Sequence, residues 1–88
     1  MAIDSKSFTK VLIIRMRAVP AIDVSAIRKL RELVTKAGKN DITVIFSHVN
    51  EQPMHAFEKD GFVDFAGKDN FRTNIIEALD YANSLVSK

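Results

Sequence analysis

Two short aliphatic runs, separated by an amphipathic segment, restrict the possible folds of this chain more than any other feature. The runs cover residues 11–14 and 42–46. Short apolar runs without strict alternation are typical of strands that are buried on both faces of a parallel sheet. Parallel strands need a crossover connection, which is usually a right-handed helical one. The chain is therefore predicted to contain a strand–helix–strand unit.

The amphipathic segment predicts a first helix over residues 26–37, where apolar side chains recur every three or four positions. Pro20 keeps the residues before it out of helical conformation. Asp23 and Ser25 both have short polar side chains that can accept hydrogen bonds from the free amides of a new helix, and Ser25 is interpreted as an N-cap. Gly38 is expected to end the helix in a left-handed conformation.

The second half of the chain continues with shorter elements. A short helix is predicted over residues 53–60, with a proline in its first turn and Gly61 at its end. Residues 62–65 are predicted to form a third strand, with Phe62 and Phe65 in the core.

Asp69 or Asn70 is expected to cap the last helix, because both side chains accept hydrogen bonds from helix amides. The order of the elements predicts an α/β sandwich, that is, a mostly parallel sheet with helices packed on it. The apolar face of the last helix is predicted to carry Ile75, Leu79, Ala82 and Val86, with Ile76 and Leu85 beside them.

Several classes of site are disfavoured by the composition. The 88 residues include no cysteine, which removes disulfides, thiolate metal sites and cysteine nucleophiles. His48 and His55 are seven residues apart, whereas a metal pair on a helix has a spacing of about three or four. The three glycines form no phosphate-binding motif. We expect the chain to have no enzymatic activity and to bind no metal or cofactor. A small hydrolase or phosphate-handling enzyme is the least favoured of three functional classes.

Charge and hydropathy disfavour both nucleic-acid binding and a membrane-spanning segment. The chain has 13 basic and 11 acidic residues, interspersed without a basic block, which favours a mixed solvated surface. No apolar run approaches the ~18–20 residues that span a bilayer, and the first residues lack the apolar core of a signal peptide. If the chain belongs to a membrane protein, the membrane part is expected outside this sequence.

Functional groups are expected in the loops after the strands, since such loops gather beyond the carboxyl ends of a parallel sheet. These loops cover residues 17–25, 47–52 and 66–70. A hydroxyl at a helix N-terminus can carry a phosphate without repulsion from the helix dipole, so Ser25 is the candidate phosphate acceptor. The candidate docking residues, or residues that face an anion or nucleotide, are Asp23, Val24, Ser47, Asn50, Lys68 and Asn70.

Motifs that follow one another along residues 11–80 resemble the STAS family. This family is shared by sulfate-permease (SulP-type) anion transporters and bacterial anti-sigma-factor antagonists. An aliphatic strand precedes Val-Pro-Ala-Ile-Asp-Val-Ser-Ala-Ile at residues 19–27, and Ile-Thr-Val-Ile-Phe precedes the Val-Asn pair at residues 49–50. Gly-Lys-Asp-Asn at residues 67–70 comes before a helix with Ile-Ile-Glu-Ala-Leu. The Val-Pro-x-Ile-Asp, Val-Asn and Gly-Lys-Asp-Asn motifs favour the transporter branch.

In that branch, the resemblance implies a cytosolic regulatory and protein-interaction domain of a sulfate transporter, without catalysis of its own. The expected partners are the transmembrane domain of the same transporter, at the cytoplasmic side of the cell membrane, and a cytosolic protein. The family also carries proposals of nucleotide or anion binding at this face.

The antagonist branch implies the alternative function, a serine phospho-switch that acts on an anti-sigma factor. Its signature is similar to Asp-Ser-Ser-Gly. Ser25 matches the phosphorylated serine and Asp23 the aspartate, whereas Val24 and Ala26 depart from the middle serine and the glycine.

The beginning of the chain departs from the transporter pattern, in which a strand or hairpin and a helix precede the strand that Val11 starts. Only ten residues precede Val11 here. We therefore interpret residues 1–10 as an extension and residues 11–88 as a STAS domain that lacks the usual N-terminal strand and helix. An opening strand that is missing leaves an unpaired sheet edge. We expect this edge to be filled by residues 1–10, a companion fragment or another copy in a homo-oligomer.

Overall fold

A computed structural model of the chain describes residues 10–86. The expected N-terminal extension, apart from Lys10, lies outside the described residues. No helix among residues 10–86 is long and apolar enough to cross a membrane. In chain order, the elements are β1 (Lys10–Arg15), α1 (Val24–Lys39), β2 (Ile42–Ser47), α2 (Glu51–Asp60), α3 (Phe62–Ala66), a 3-10 turn (Lys68–Asn70), β3 (Phe71–Arg72) and α4 (Ile75–Val86).

The strands of the described residues form one parallel sheet with the order β1-β2-β3. Lys10 is opposite Ile42 at one end of the β1–β2 pair, and Arg15 is opposite Ser47 at the other. The prediction of two adjacent parallel strands joined through a helix is confirmed.

Side chains alternate between the two faces of β2, and each face has its own core. Val44 and Phe46 pack with α1, α2 and α3, whereas Ile45 packs with α4. Phe46, Phe57 and Phe62 are fully buried, and the rings of Phe46 and Phe62 meet edge to face with centroids 5.5 Å apart. Burying a phenylalanine contributes roughly 1.5–3 kcal/mol, so this cluster accounts for much of the core on the α1 side.

The prediction of a third strand over residues 62–65 is wrong, because this segment forms α3. Gly61 ends α2 at φ 86°, and its carbonyl oxygen accepts the first hydrogen bond of α3 from Phe65 N. Phe62 lies in the core, as predicted. Phe65 does not: its side chain is 46% exposed, with the Arg31 guanidinium 4.7 Å from the ring centroid.

The sheet obtains its third strand from Phe71–Arg72, directly before α4. The backbone N–H of His48 donates to the carbonyl oxygen of Arg72 at 3.0 Å and holds this short strand beside β2. Only two residues of β3 pair with β2, too few to show as a periodic pattern in the sequence.

Two predicted helix ends are also corrected. Gly38 lies inside α1, which ends at Lys39 with Asn40 as C-cap. The residue with left-handed conformation is Asp41, at φ 59°. α4 begins after Asn74, whose side chain accepts from Glu77 N at 2.9 Å, so neither Asp69 nor Asn70 caps it.

The face through which α4 packs on the sheet agrees only in part with the predicted one, since Ala82 was predicted and Ala78 was not. Ala78 and Ala82 are buried against Ile45. Leu79 and Val86, which were expected to be buried, are about half exposed. Because alanine is small, Ala78 and Ala82 let α4 approach the sheet closely, whereas Leu79 and Val86 have larger side chains.

Candidate functional site

The loops that follow β1 and β2 lie side by side because Asn50 joins them. Its Nδ2 donates to the carbonyl oxygens of Val19 at 2.9 Å and Arg17 at 3.0 Å, with a longer contact of 3.4 Å to that of Met16. The carbonyl oxygen of Met16 also accepts from Val19 N at 3.0 Å, whereas those of Arg17 and Val19 belong to a loop without regular structure that offers no ladder partner. The Asn50 amide therefore fixes the shape of the β1–α1 loop.

Gln52 adds a second link between the same loops. The backbone N–H of Ile22 donates to Gln52 Oε1 at 2.8 Å, and Gln52 Nε2 lies 3.5 Å from the carbonyl oxygen of Ile22. Gln52 lay in a predicted functional loop but was not singled out, since no motif in the sequence distinguishes it.

Asp23, and not Ser25, caps α1. The Oδ1 atom of Asp23 accepts from Ala26 N at 2.9 Å, and its carbonyl oxygen accepts from Ile27 N at 3.1 Å. Ser25 is the second residue of α1 and is exposed, and Val24 beside it is 65% exposed. The interpretation of Ser25 as N-cap is wrong, because its hydroxyl lies past the residue with extended backbone geometry that a cap requires.

Asp23, Val24 and Gln52 border one shallow depression of about 510 Å³ between α1 and α2. Ile27 and Ala56 form apolar parts of its lining. Polar groups around an apolar floor on a surface held by side-chain hydrogen bonds suit the binding of another molecule.

Ser47 ends β2 but does not reach this surface. Its side chain is 1% exposed, and Oγ has no hydrogen-bond partner within the part of the chain that the structure describes. Its carbonyl oxygen accepts from Met16 N at 2.9 Å, which extends the β1–β2 ladder. Ser47 therefore stabilises the start of the loop after β1 through its backbone, and its buried side chain is not placed to contact a partner.

The third predicted loop, residues 66–70, does not join the other two. It precedes β3, so it lies beside the sheet and not beyond the carboxyl end of a strand. Asn70 Nδ2 donates to the carbonyl oxygen of Ala66 at 2.7 Å and closes the turn. Gly67 has φ 102°, and a Cβ there would lie 2.7 Å from Asn70 Nδ2, so the turn requires glycine. Lys68 is exposed and does not line the depression that Asp23 borders.

Comparison with known proteins identifies the family. The family model of the STAS domain matches residues 2–82, nearly the whole chain. The chain belongs to the STAS family. The STAS fold is also that of a solved structure, a sulfate transporter family protein from Wolinella succinogenes, with 33% identity and a TM-score of 0.86. That match covers 90% of this chain and 65% of the other. A comparison with curated proteins gave no match.

In this STAS domain, two of the three predicted loops form one surface, which we call the loop face: residues 16–25 and 48–52. Among residues 10–86, no group of three or more histidine, aspartate or glutamate side chains is placed to hold a metal ion. The charged side chains around the depression are Asp23, Lys59 and Asp60. This mixture of signs suits recognition by shape and hydrogen bonding more than the capture of a highly charged ligand.

Proposed function

We propose that this STAS domain is a cytosolic regulatory and protein-interaction domain of a sulfate-family anion transporter, without catalysis of its own. The observation that carries the proposal is the pair of links from Asn50 and Gln52 to the β1–α1 loop. They hold an irregular loop in one conformation, and Val24 and Ser25, which follow it at the start of α1, are exposed. A surface that is ordered before binding loses less conformational entropy when a partner docks.

The partner that fits this role is the transmembrane domain of the same transporter, at the cytoplasmic side of the membrane. The similarity to a sulfate transporter family protein supports this choice. A cytosolic protein is the second partner class for the same face. A nucleotide or anion is the third and least favoured class, because the Asp23 carboxylate already occupies the start of α1.

Val24 and Ile76 provide a matched test. Val24 is 65% exposed in the first turn of α1, and Ile76 is 69% exposed in the first turn of α4. Glutamate is tolerated in the first turn of a helix, so neither Val24→Glu nor Ile76→Glu should reduce stability. In the intact transporter, sulfate uptake should fall with Val24→Glu and stay unchanged with Ile76→Glu. Equal uptake for both variants and the unaltered protein would refute docking through the loop face.

A phospho-switch that acts on an anti-sigma factor is the second candidate function. Its supporting observation is the position of Ser25, exposed in the first turn of α1 and two residues after the capping residue Asp23. A phosphate there would interact favourably with the helix dipole and change what the loop face can dock against. The full reading frame distinguishes the candidates, since a multi-span segment upstream identifies a transporter. Phosphoserine at Ser25 in protein isolated from its own cells would favour the switch.

A further inference from the structure

The outer edge of β1 carries backbone groups that pair with no other strand of residues 10–86. In the described residues, β1 pairs with β2 alone and stands at the end of the sheet. The N–H groups of Lys10 and Met16 donate toward β2, to the carbonyl oxygens of Asp41 and Ser47. Since successive residues of a strand direct their backbone groups to opposite sides, Val11, Ile13 and Arg15 direct theirs to the outer edge.

An apolar groove runs along this edge between β1 and α1. The part near the carboxyl end of β1, about 590 Å³, is lined by Ile14, Met16 and Leu30. The part near the amino end, about 380 Å³, is lined by Leu12 and Ala37. Leu33 borders both parts. The side chain of Leu12 is 41% exposed, which leaves a large apolar group uncovered in this groove. Grooves beside a free strand edge are where extended peptides add to a sheet and insert alternate side chains.

Positive charge surrounds the groove. Four cationic side chains border its two parts, whereas Asp23 is the single acidic residue in the lining. A ligand with negative charges near its ends would match this distribution. The cationic residues are Lys10, Arg15, Lys29 and Lys36.

The same charges disfavour a second copy of this chain as occupant. If two β1 strands paired antiparallel about a two-fold axis, Ile13 would lie on the axis and Val11 of one copy would lie opposite Arg15 of the other. Lys10 of one copy would then be close to Arg15 of the other, and both copies would bring their cationic groove to the same edge. Like charges brought close together repel one another.

We propose that the β1 edge and its groove bind an extended segment of another polypeptide, apolar at alternate positions and acidic near its ends. Its backbone hydrogen-bonds to Val11, Ile13 and Arg15, and its apolar side chains cover Leu12 and Leu33. The acidic side chains near its two ends lie close to the four cations. The groove borders the loop face at Met16 and Asp23, but the inference holds whether or not the domain belongs to a transporter.

Two synthetic peptides test the charge requirement. Both alternate valine and threonine, and one carries two glutamates at each end while the other carries two lysines. By fluorescence polarisation with the full chain, the acidic peptide should bind about 3–10-fold more tightly at low salt, as a few exposed ion pairs provide. Equal affinities, or no binding of the acidic peptide, would overturn the proposal.

Charge-reversal variants locate the contact. Lys29→Glu combined with Lys36→Glu should weaken the binding of the acidic peptide and strengthen that of the basic peptide. The control is Arg28→Glu combined with Lys39→Glu, which makes the same change in net charge on the same helix but away from the groove lining. An equal loss in both double variants would show a general charge effect and contradict binding in the groove.

Backbone pairing has its own readouts. The acidic peptide with N-methyl groups at alternate residues should lose binding, and the unmethylated peptide should slow hydrogen exchange at Val11, Ile13 and Arg15. If these amides are already as protected as those of Leu12 and Ile14 in the peptide-free monomer, another part of the chain covers the edge and the proposal fails. It also fails if sedimentation shows a dimer that the peptide does not dissociate.

Discussion

The side-chain amide of Asn50 donates a hydrogen bond of 2.9 Å to the carbonyl oxygen of Val19, which is 31 residues earlier in the chain. The contact connects the residue that precedes α2 to the loop that precedes α1. It also explains why Asn50 caps α2 without a side-chain hydrogen bond to that helix. The β1–α1 part of the loop face is therefore held in position by an asparagine in its other part.

Asn50→Ala should lower the free energy of unfolding by about 1–3 kcal/mol, because it leaves the partly buried carbonyl oxygen of Val19 without its donor. Asn50→Asp should be at least as damaging, since a carboxylate would face those oxygens. Asn40→Ala is the control: Asn40 also donates to a carbonyl oxygen, that of Lys36, but at an exposed helix end. Urea denaturation of the three variants checks this. A loss at Asn50 no larger than at Asn40 would contradict the structural role.

Asp23 and Ser25 should differ sharply when each is replaced by alanine. Asp23→Ala removes the cap of α1 and should cost about 0.5–2 kcal/mol. Ser25→Ala should stay within about 0.5 kcal/mol, as for an exposed helical residue. Asp23→Asn keeps an acceptor at the same place and serves as the control for charge. Thermal or urea unfolding measures all three, and a greater loss for Ser25→Ala would restore Ser25 as the cap.

Ser25→Asp tests regulation at the same turn. Aspartate in the first turn of α1 should leave stability unchanged or raise it by about 0.3–1 kcal/mol through the helix dipole. If the loop face docks on a partner, uptake by the intact transporter or binding of the partner should nevertheless fall. Melting temperature and uptake are measured on the same variant. Unchanged function together with unchanged stability would remove any regulatory role for Ser25.

Phe62 and Phe65 should respond differently to truncation, because α3 places one in the core and the other at the surface. Phe62→Ala should cost about 3–5 kcal/mol, as for a fully buried phenylalanine. Phe65→Ala should cost less than about 1 kcal/mol, chiefly through its contact with Arg31. Circular dichroism during denaturation checks both. Equal losses would favour the strand that the sequence pattern alone predicts for residues 62–65.

The elements that the sequence predicted correctly are those with a local signal. The aliphatic runs of β1 and β2 and the three-and-four spacing of α1 are properties of consecutive residues, and Gly61 ends α2 by its own backbone freedom. The order of these elements was enough for the parallel topology, because the crossover rule leaves few alternatives. The loops that hold Asp23, Ser25 and Asn50 followed from the same order.

Tertiary packing decided what these local signals left open. Residues 62–65 have an apolar pattern that suits a strand or a helix, and the burial of Phe62 against Phe46 and Phe57 selected the helix. Because residues 62–66 form a helix, the third strand is Phe71–Arg72 instead of the predicted segment. Residues 66–70 therefore precede this strand and are not part of the loop face. The inward direction of the Asn50 amide was likewise fixed by carbonyl groups more than 30 residues away, and sequence spacing carries no record of such a contact.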